Sequence, residues 1–226
     1  MPYSILAGNH DLLSMSSYDN ERNREQEPFA QYFPIERIQK QSTYGGHSPT
    51  KFNTYHLIEV DGYHFLVLAL DWRISEGSIA WAQSILDQYS DIPTILTTHD
   101  LVNVDHNDEI YLTRYGKVLW DTLVTKNNQI FLTINGHHYN VGHAIFKNDA
   151  GNDVLVMVVN YQTDYNGGNG MMRLLTFDIA KNMIYAKSFS PYVMSIPPEQ
   201  RDEQDIERKF DPSNDFSVEI NFANRI

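Results

Sequence analysis

The chain has no cysteine, which excludes disulfides and thiolate metal ligands, so any metal site must be built from His, Asn, Asp or Glu. A cysteine-free chain suits either redox environment, and the compartment is left open. No apolar run approaches the ~18 residues of a membrane span, and no basic-then-apolar signal peptide precedes residue 8. Basic residues are scarce: 17 Lys and Arg face 29 Asp and Glu, for a formal net charge of -12. Such a chain repels nucleic-acid backbones and anionic membranes at long range, and no nucleic-acid partner is expected. A phosphate-bearing substrate would need a local positive feature, such as a bound cation.

Hydrophobic residues make up 42% of the 226 positions and aromatics 12%, enough for one sizeable globular core. The chain therefore reads as a single domain over 1–226, with 192–226 as a charged excursion and a last edge strand. Two alternating runs, Thr54 to Val60 and Tyr63 to Leu70, meet at Asp61-Gly62, a strong hairpin signal. Ser75 or Glu76 opens a helix through about Tyr89, and a second helix runs from about Arg114 to Val124. From Asp153 onward the pattern is strands alone: Asp153 to Gln162, Met172 to Asp178, Met183 to Phe189 and Phe216 to Phe222. The polar stretch Leu12 to Ser48 reads as a loop with short helical pieces. Helices mixed with strands early and strands alone late predict an α/β fold of two packed sheets, the first with parallel crossovers and the second mostly antiparallel.

Three β-rich apolar runs end in Asn or His. Tyr3 to Ala7 delivers Gly8-Asn9-His10-Asp11, Ile92 to Thr98 delivers His99-Asp100, and Gln129 to Ile134 delivers Asn135-Gly136-His137-His138-Tyr139. Open α/β sheets place their sites beyond the carboxyl ends of parallel strands, so the three ends point to a metal centre assembled from distant segments. Amide oxygen and imidazole nitrogen both suit hard or borderline divalent cations, which makes Asn9, His99 and His137 the candidate ligands. His10 can give a proton to a leaving-group oxygen near neutral pH. Asp11 and Asp100 are candidates to orient imidazoles from behind. Taken singly, each motif is more often an ordinary turn or cap; their equivalent positions make the set specific. Trp72, Trp81 and Trp120 read as core, and Gly167 to Gly170 as a turn between strands.

These residues resemble the calcineurin-like metallophosphoesterases. Gly8-Asn9-His10-Asp11 matches that family's third motif, Thr98-His99-Asp100 looks like its fourth, and Gly136-His137 begins its fifth; similarity to an often exported bacterial subgroup continues to about Pro191. The resemblance implies a four-layer αββα sandwich, a phosphoester hydrolase activity, Asn9, His99 and His137 on one of two metal ions (Mn, Fe, Zn or Mg), and His10 as proton donor. The family's two upstream motifs, Asp-x-His and Gly-Asp-x-x-Asp, have no match here. The chain thus reads as the carboxy-terminal portion of such an enzyme, lacking its amino-terminal strands, impaired alone and holding one ion or none. At the fifth motif Tyr139 stands where the family has its last His; it reads as lining the site, with His138 structural, and His138 and His143 as alternative ligands are each shifted in register. The expected partners are a phosphoester of unspecified identity and, through an exposed sheet edge, a second copy. A catalytically inactive binding module and a site completed by another polypeptide stay open as alternatives.

Overall fold

The computed structural model describes residues 2–222 and Arg225. Among the described residues thirteen strands fall into three sheets. The main sheet holds β1 (Tyr44–His47), β2 (Thr54–Val60), β3 (Tyr63–Ala69), β4 (Thr94–Thr97), β7 (Ile130–Asn135), β8 (Val141–Lys147) and β9 (Asp153–Val159), in the order β1-β2-β3-β4-β7-β9-β8. It is mixed: β3, β4, β7 and β9 run parallel, while β1–β2, β2–β3 and β8–β9 are antiparallel. A second, wholly antiparallel sheet contains β10 (Met172–Asp178), β11 (Met183–Phe189), β12 (Arg208–Lys209) and β13 (Asp215–Glu219). Between β4 and β7, β5 (Val102–Val104) and β6 (Ile110–Leu112) form a small hairpin.

Alternation along the central strands builds the two core layers, because successive side chains point to opposite faces. Leu66 and Leu68 on β3 and Val154, Val156 and Val158 on β9 meet Ala82, Ile85 and Leu86 of the helix Glu76–Gln88, together with Leu119 and Leu123. Their neighbours Phe65, Leu155 and Met157 face the other way and pack, with Phe131, against Ile184, Phe177 and Val218 of the second sheet. The Asp61-Gly62 turn has both residues left-handed, φ 52° and 81°, as a two-residue hairpin of this twist requires. The Ser75 hydroxyl accepts from the Ser78 amide and caps the helix that follows. The second helix starts at Arg114 and ends in a widened turn over Trp120–Val124.

Two expectations fail here. Tyr3 to Ala7 joins no ladder, because β4 is already flanked by β3 and β7 and each inner strand has both its edges paired. The segment instead packs Ile5 and Ala7 into a third small core with Leu12, Phe29, Phe52 and Trp72. The four-layer sandwich is also not seen among the described residues: the outer face of β10 leaves Met172 and Leu174 about half exposed, where a fourth, helical layer would lie. No helix among the described residues is long and apolar enough to cross a membrane.

Candidate metal centre

β4 and β7 are parallel neighbours, with Thr97 opposite Ile134, so the residues just after each emerge at the same sheet edge. The Asn135 side chain fixes the two exits together: its Oδ1 accepts from the Val102 amide at 3.0 Å and its Nδ2 donates to the Val102 carbonyl at 2.9 Å. Asn9 reaches the same place from a single 3₁₀ turn, Asn9–Asp11, rather than from a strand end. That turn is held by the Asp11 carboxylate, which accepts the Gly8 amide at 2.8 Å.

The three expected ligands converge. Asn9 Oδ1 lies 2.9 Å from His99 Nε2 and 3.3 Å from His137 Nδ1. Donors ~2.1 Å from a common ion are about 3.0 Å apart at octahedral angles and about 3.4 Å at tetrahedral ones, so these spacings fit a shared cation. Asn9 is buried and the two imidazoles are half-buried. Burial first, and the neighbouring His137 second, depress the His99 pKa to about 4. Burial, then His138, lowers that of His137. Both rings are therefore neutral at pH 7, as metal ligation requires.

Two backbone features show why these positions are specific. A Cβ on Gly8 would stand 2.7 Å from His99 Cε1, so the ring packs directly on a residue without a side chain. His137 has φ 63°, a left-handed conformation that costs a non-glycine residue about 1–2 kcal/mol. It turns the ring toward Asn9, away from the strand direction.

The remaining candidates separate. His10 is exposed on the turn beside Asn9, and it lines a cleft of about 150 Å³ with His99, His137, Tyr139 and Gln162. Asp11 is engaged by its own turn and does not touch an imidazole within the hydrogen bonds described. Asp100 turns away from His99. Its Oδ1 accepts from Thr113 at 2.8 Å and meets His138 Nε2 at 3.0 Å. Burial raises the Asp100 pKa, but the hydrogen bonds from His138 and Thr113 outweigh it and the net shift is downward. Asp100, His137 and His138 also bring one ligand atom each within 4.8 Å of one another, a second grouping that could hold a cation. His143 lies on β8 with its ring stacked on Phe216 at 3.5 Å, away from the cleft.

Sequence reading missed the aromatic floor. Trp72 is buried as expected, yet its ring also contacts both imidazoles, with centroids 5.3 Å from His99 and 4.7 Å from His137. Its indole N–H donates to the Met15 carbonyl at 2.7 Å. Trp72 follows β3, the parallel neighbour of β4, and that position was the available signal.

Fold and site together define an α/β protein with a mixed seven-stranded sheet, bearing an Asn-His-His cluster at the carboxyl edge of its parallel strands. No protein-family profile matches the chain. It is 29% identical over 199 residues to the uncharacterized protein YvnB of Bacillus subtilis (strain 168), a match covering 85% of this chain and 15% of YvnB. The chain thus spans about 15% of the length of that curated relative. Among solved structures it bears a distant likeness to the Haemophilus influenzae NAD nucleotidase NadN, with 17% identity and a TM-score of 0.32 over 61% of this chain and 25% of that one. These findings overturn the expected membership in the calcineurin-like metallophosphoesterases. No profile of that family is met, the sequence relative is uncharacterized, and a TM-score of 0.32 supports no argument. The physical reason lies in the motifs themselves. Gly8 to Asp11 closes a self-sufficient turn through its own carboxylate, and Asp100 pairs with a different histidine from the one it follows. Short matches of this sort arise without the surrounding fold.

Proposed function

We propose that this chain carries a divalent-cation-dependent site for hydrolysis of phosphate esters, with Asn9, His99 and His137 as the cation's ligands and His10 as proton donor. The observation that carries the reading is the convergence of both imidazole nitrogens on the Asn9 amide oxygen, at 2.9 and 3.3 Å. All three donors are neutral, so an ion there keeps its full charge and favours an anionic ligand, the phosphoryl group. A cation so bound supplies electrostatic stabilisation of the charge developing on the phosphoryl oxygens. Water supplies the oxygen that bonds to phosphorus as the ester P–O bond breaks, and His10 gives its proton to the leaving oxygen, a contribution of ~10²–10⁴-fold. Trp72 holds both imidazoles from below, and Tyr139 forms the open wall of the cleft. The net charge of -12 favours small phosphate esters over polyanions.

A second reading is a binding module without catalysis. It is favoured by the engagement of Asp11 with Gly8 and of Asp100 with His138 and Thr113, which commits both carboxylates to hydrogen bonds outside the Asn-His-His trio. Metal content of the purified chain and hydrolysis of a chromogenic phosphate ester with added Mn²⁺ separate the two. Hydrolysis that is lost in Asn9→Ala and His137→Ala and lowered in His10→Ala supports the first. A folded chain that takes up Mn²⁺ but hydrolyses neither a monoester nor a diester refutes it.

A further inference from the structure

Arg73 lies against Trp72, the floor of the histidine cluster, and its side chain is held between two aromatic residues. Its guanidinium carbon lies 3.9 Å from the centroid of the Trp72 ring and 4.5 Å from that of Tyr115, so it packs over two aromatic rings. The backbone beneath it is pinned on both sides: the Arg73 carbonyl accepts from the Asp19 amide at 2.8 Å, and the Ile74 amide donates to the Tyr115 hydroxyl at 2.9 Å. A guanidinium packed in this way has less side-chain entropy to lose when a ligand arrives.

Its donors are scarcely used. A guanidinium carries five N–H groups. Among the described residues, Arg73 has one loose ion pair, Nη1 to Asp100 Oδ2 at 3.7 Å, and no side-chain hydrogen bond. The other oxygen of Asp100 already meets His138 and Thr113. Asp71, the acidic residue two positions before Arg73, is paired with Arg22 in the interior. Two other arginines are engaged several times over: Arg225 donates to the carbonyls of Asn128, Ile130 and Asp153, and Arg173 to Ser188, Tyr161, Ser213 and Asn214. Arg73 differs from them, with a quarter of its side chain exposed. Its charge is also felt by His137, whose ring is seated on the same Trp72.

We infer that Arg73 is an oxyanion-binding residue, whose planar fork takes two oxygens of a phosphoryl group beside the Asp100–His138 pair, on the His137 side of the histidine cluster. In a chain of net charge -12 such a residue is what lets an anion approach. Arginine suits the task because its fork matches two phosphate oxygens where lysine offers a point charge. Asp100 is its built-in competitor, holding the fork loosely until an anion displaces it. The inference deepens the proposed function by assigning the residue that recognises the substrate's phosphoryl group, and its test is chosen to stand apart from hydrolysis.

Inorganic phosphate is titrated into the full chain in the presence of a chelator, and binding is followed by ³¹P line broadening for wild type, Arg73→Gln, Arg73→Lys, Asp100→Asn and His99→Ala. Arg73→Gln is expected to bind roughly tenfold or more weakly, Arg73→Lys to fall between it and wild type, and Asp100→Asn to bind more tightly. His99→Ala should keep phosphate binding while losing Mn²⁺-dependent hydrolysis, so failure of the hydrolytic reading leaves this one standing. A wild type that binds no phosphate, or an Arg73→Gln variant that binds it equally well, overturns the inference. Should Arg73→Gln fail to fold by circular dichroism, Arg73→Lys decides: affinity equal to wild type sinks the bidentate role, and a several-fold loss supports it.

Discussion

Replacing Gly8 by alanine tests whether the histidine cluster is as tightly built as its geometry says. The added Cβ would stand 2.7 Å from His99 Cε1 and 3.1 Å from both ring nitrogens. Carbon atoms in ordinary contact sit about 3.5–4.0 Å apart, so the imidazole must retreat by roughly 0.8 Å or more. It has little room to do so, with Trp72 edge-on at 5.3 Å and the His137 ring at 5.0 Å. Overpacking of this kind costs about 1–3 kcal/mol. The same retreat would carry His99 Nε2 from 2.9 Å to beyond hydrogen-bond range of Asn9 Oδ1, so cation affinity should fall with stability. Gly136→Ala is the matched control. It lies in the same site, has no left-handed φ, and its Cβ would meet nothing closer than the Val159 carbonyl at 3.8 Å. Urea unfolding and Mn²⁺ titration of the two variants should show Gly8→Ala destabilised and weakened in Mn²⁺ binding, with Gly136→Ala within about 0.5 kcal/mol of wild type. Equal behaviour of the two variants would refute the claim that His99 is seated on Gly8.

Acid stability should carry the signature of His99. Its pKa falls from 6.5 to about 4 on folding, so the unfolded chain takes up the proton first and stability is lost as pH drops from about 6.5 to 4. At about 1.4 kcal/mol per tenfold change the full loss is about 3.5 kcal/mol, read as the difference between wild type and His99→Asn in urea unfolding across that window. The difference is needed because burial pushes Asp71 up to about 6 despite Arg22, which acts in the opposite sense over pH 6 to 4. Replacing Arg22 by methionine should cost about 3–5 kcal/mol in denaturant unfolding, since it strands the fully buried Asp71 carboxylate. A cost under about 1 kcal/mol would mean that the pair is dispensable. His137→Gly should stay within about 1–2 kcal/mol of wild type, because relief of the left-handed backbone offsets lost packing, while Mn²⁺ uptake disappears. A severe loss of stability with Mn²⁺ uptake intact would make His137 a structural residue.

Much of the frame was legible because it rests on short-range physics. The β2–β3 hairpin follows from two alternating runs around Asp61-Gly62, and the Glu76–Gln88 helix from its serine cap and apolar face. The exits of β4 and β7 were readable for the same reason. Other elements were not. β1 and β8 contain Gly45, Gly46 and Gly142 and too little alternation to announce themselves, and the β5–β6 hairpin is buried in a polar stretch. Tyr3 to Ala7 looks like a strand and forms none, because the fold brings it against Leu12, Phe29, Phe52 and Trp72 and not alongside a sheet edge, a placement that is a property of the whole fold.

By itself, then, the sequence determined which donor types stand after the apolar runs at Asn9, His99 and His137, and excluded thiolate chemistry outright. Tertiary structure alone decided how they meet. The Asn9–His99 and Asn9–His137 contacts span 90 and 128 residues, and their distances are set by sheet order and by packing on Gly8 and Trp72. It also decided that Asp100 serves His138 in place of His99, and that Arg73 packs on the Trp72 and Tyr115 rings with one loose ion pair to Asp100. Side-chain partners at such separations are chosen by which surfaces the fold brings together, and local spacing carries no record of that choice.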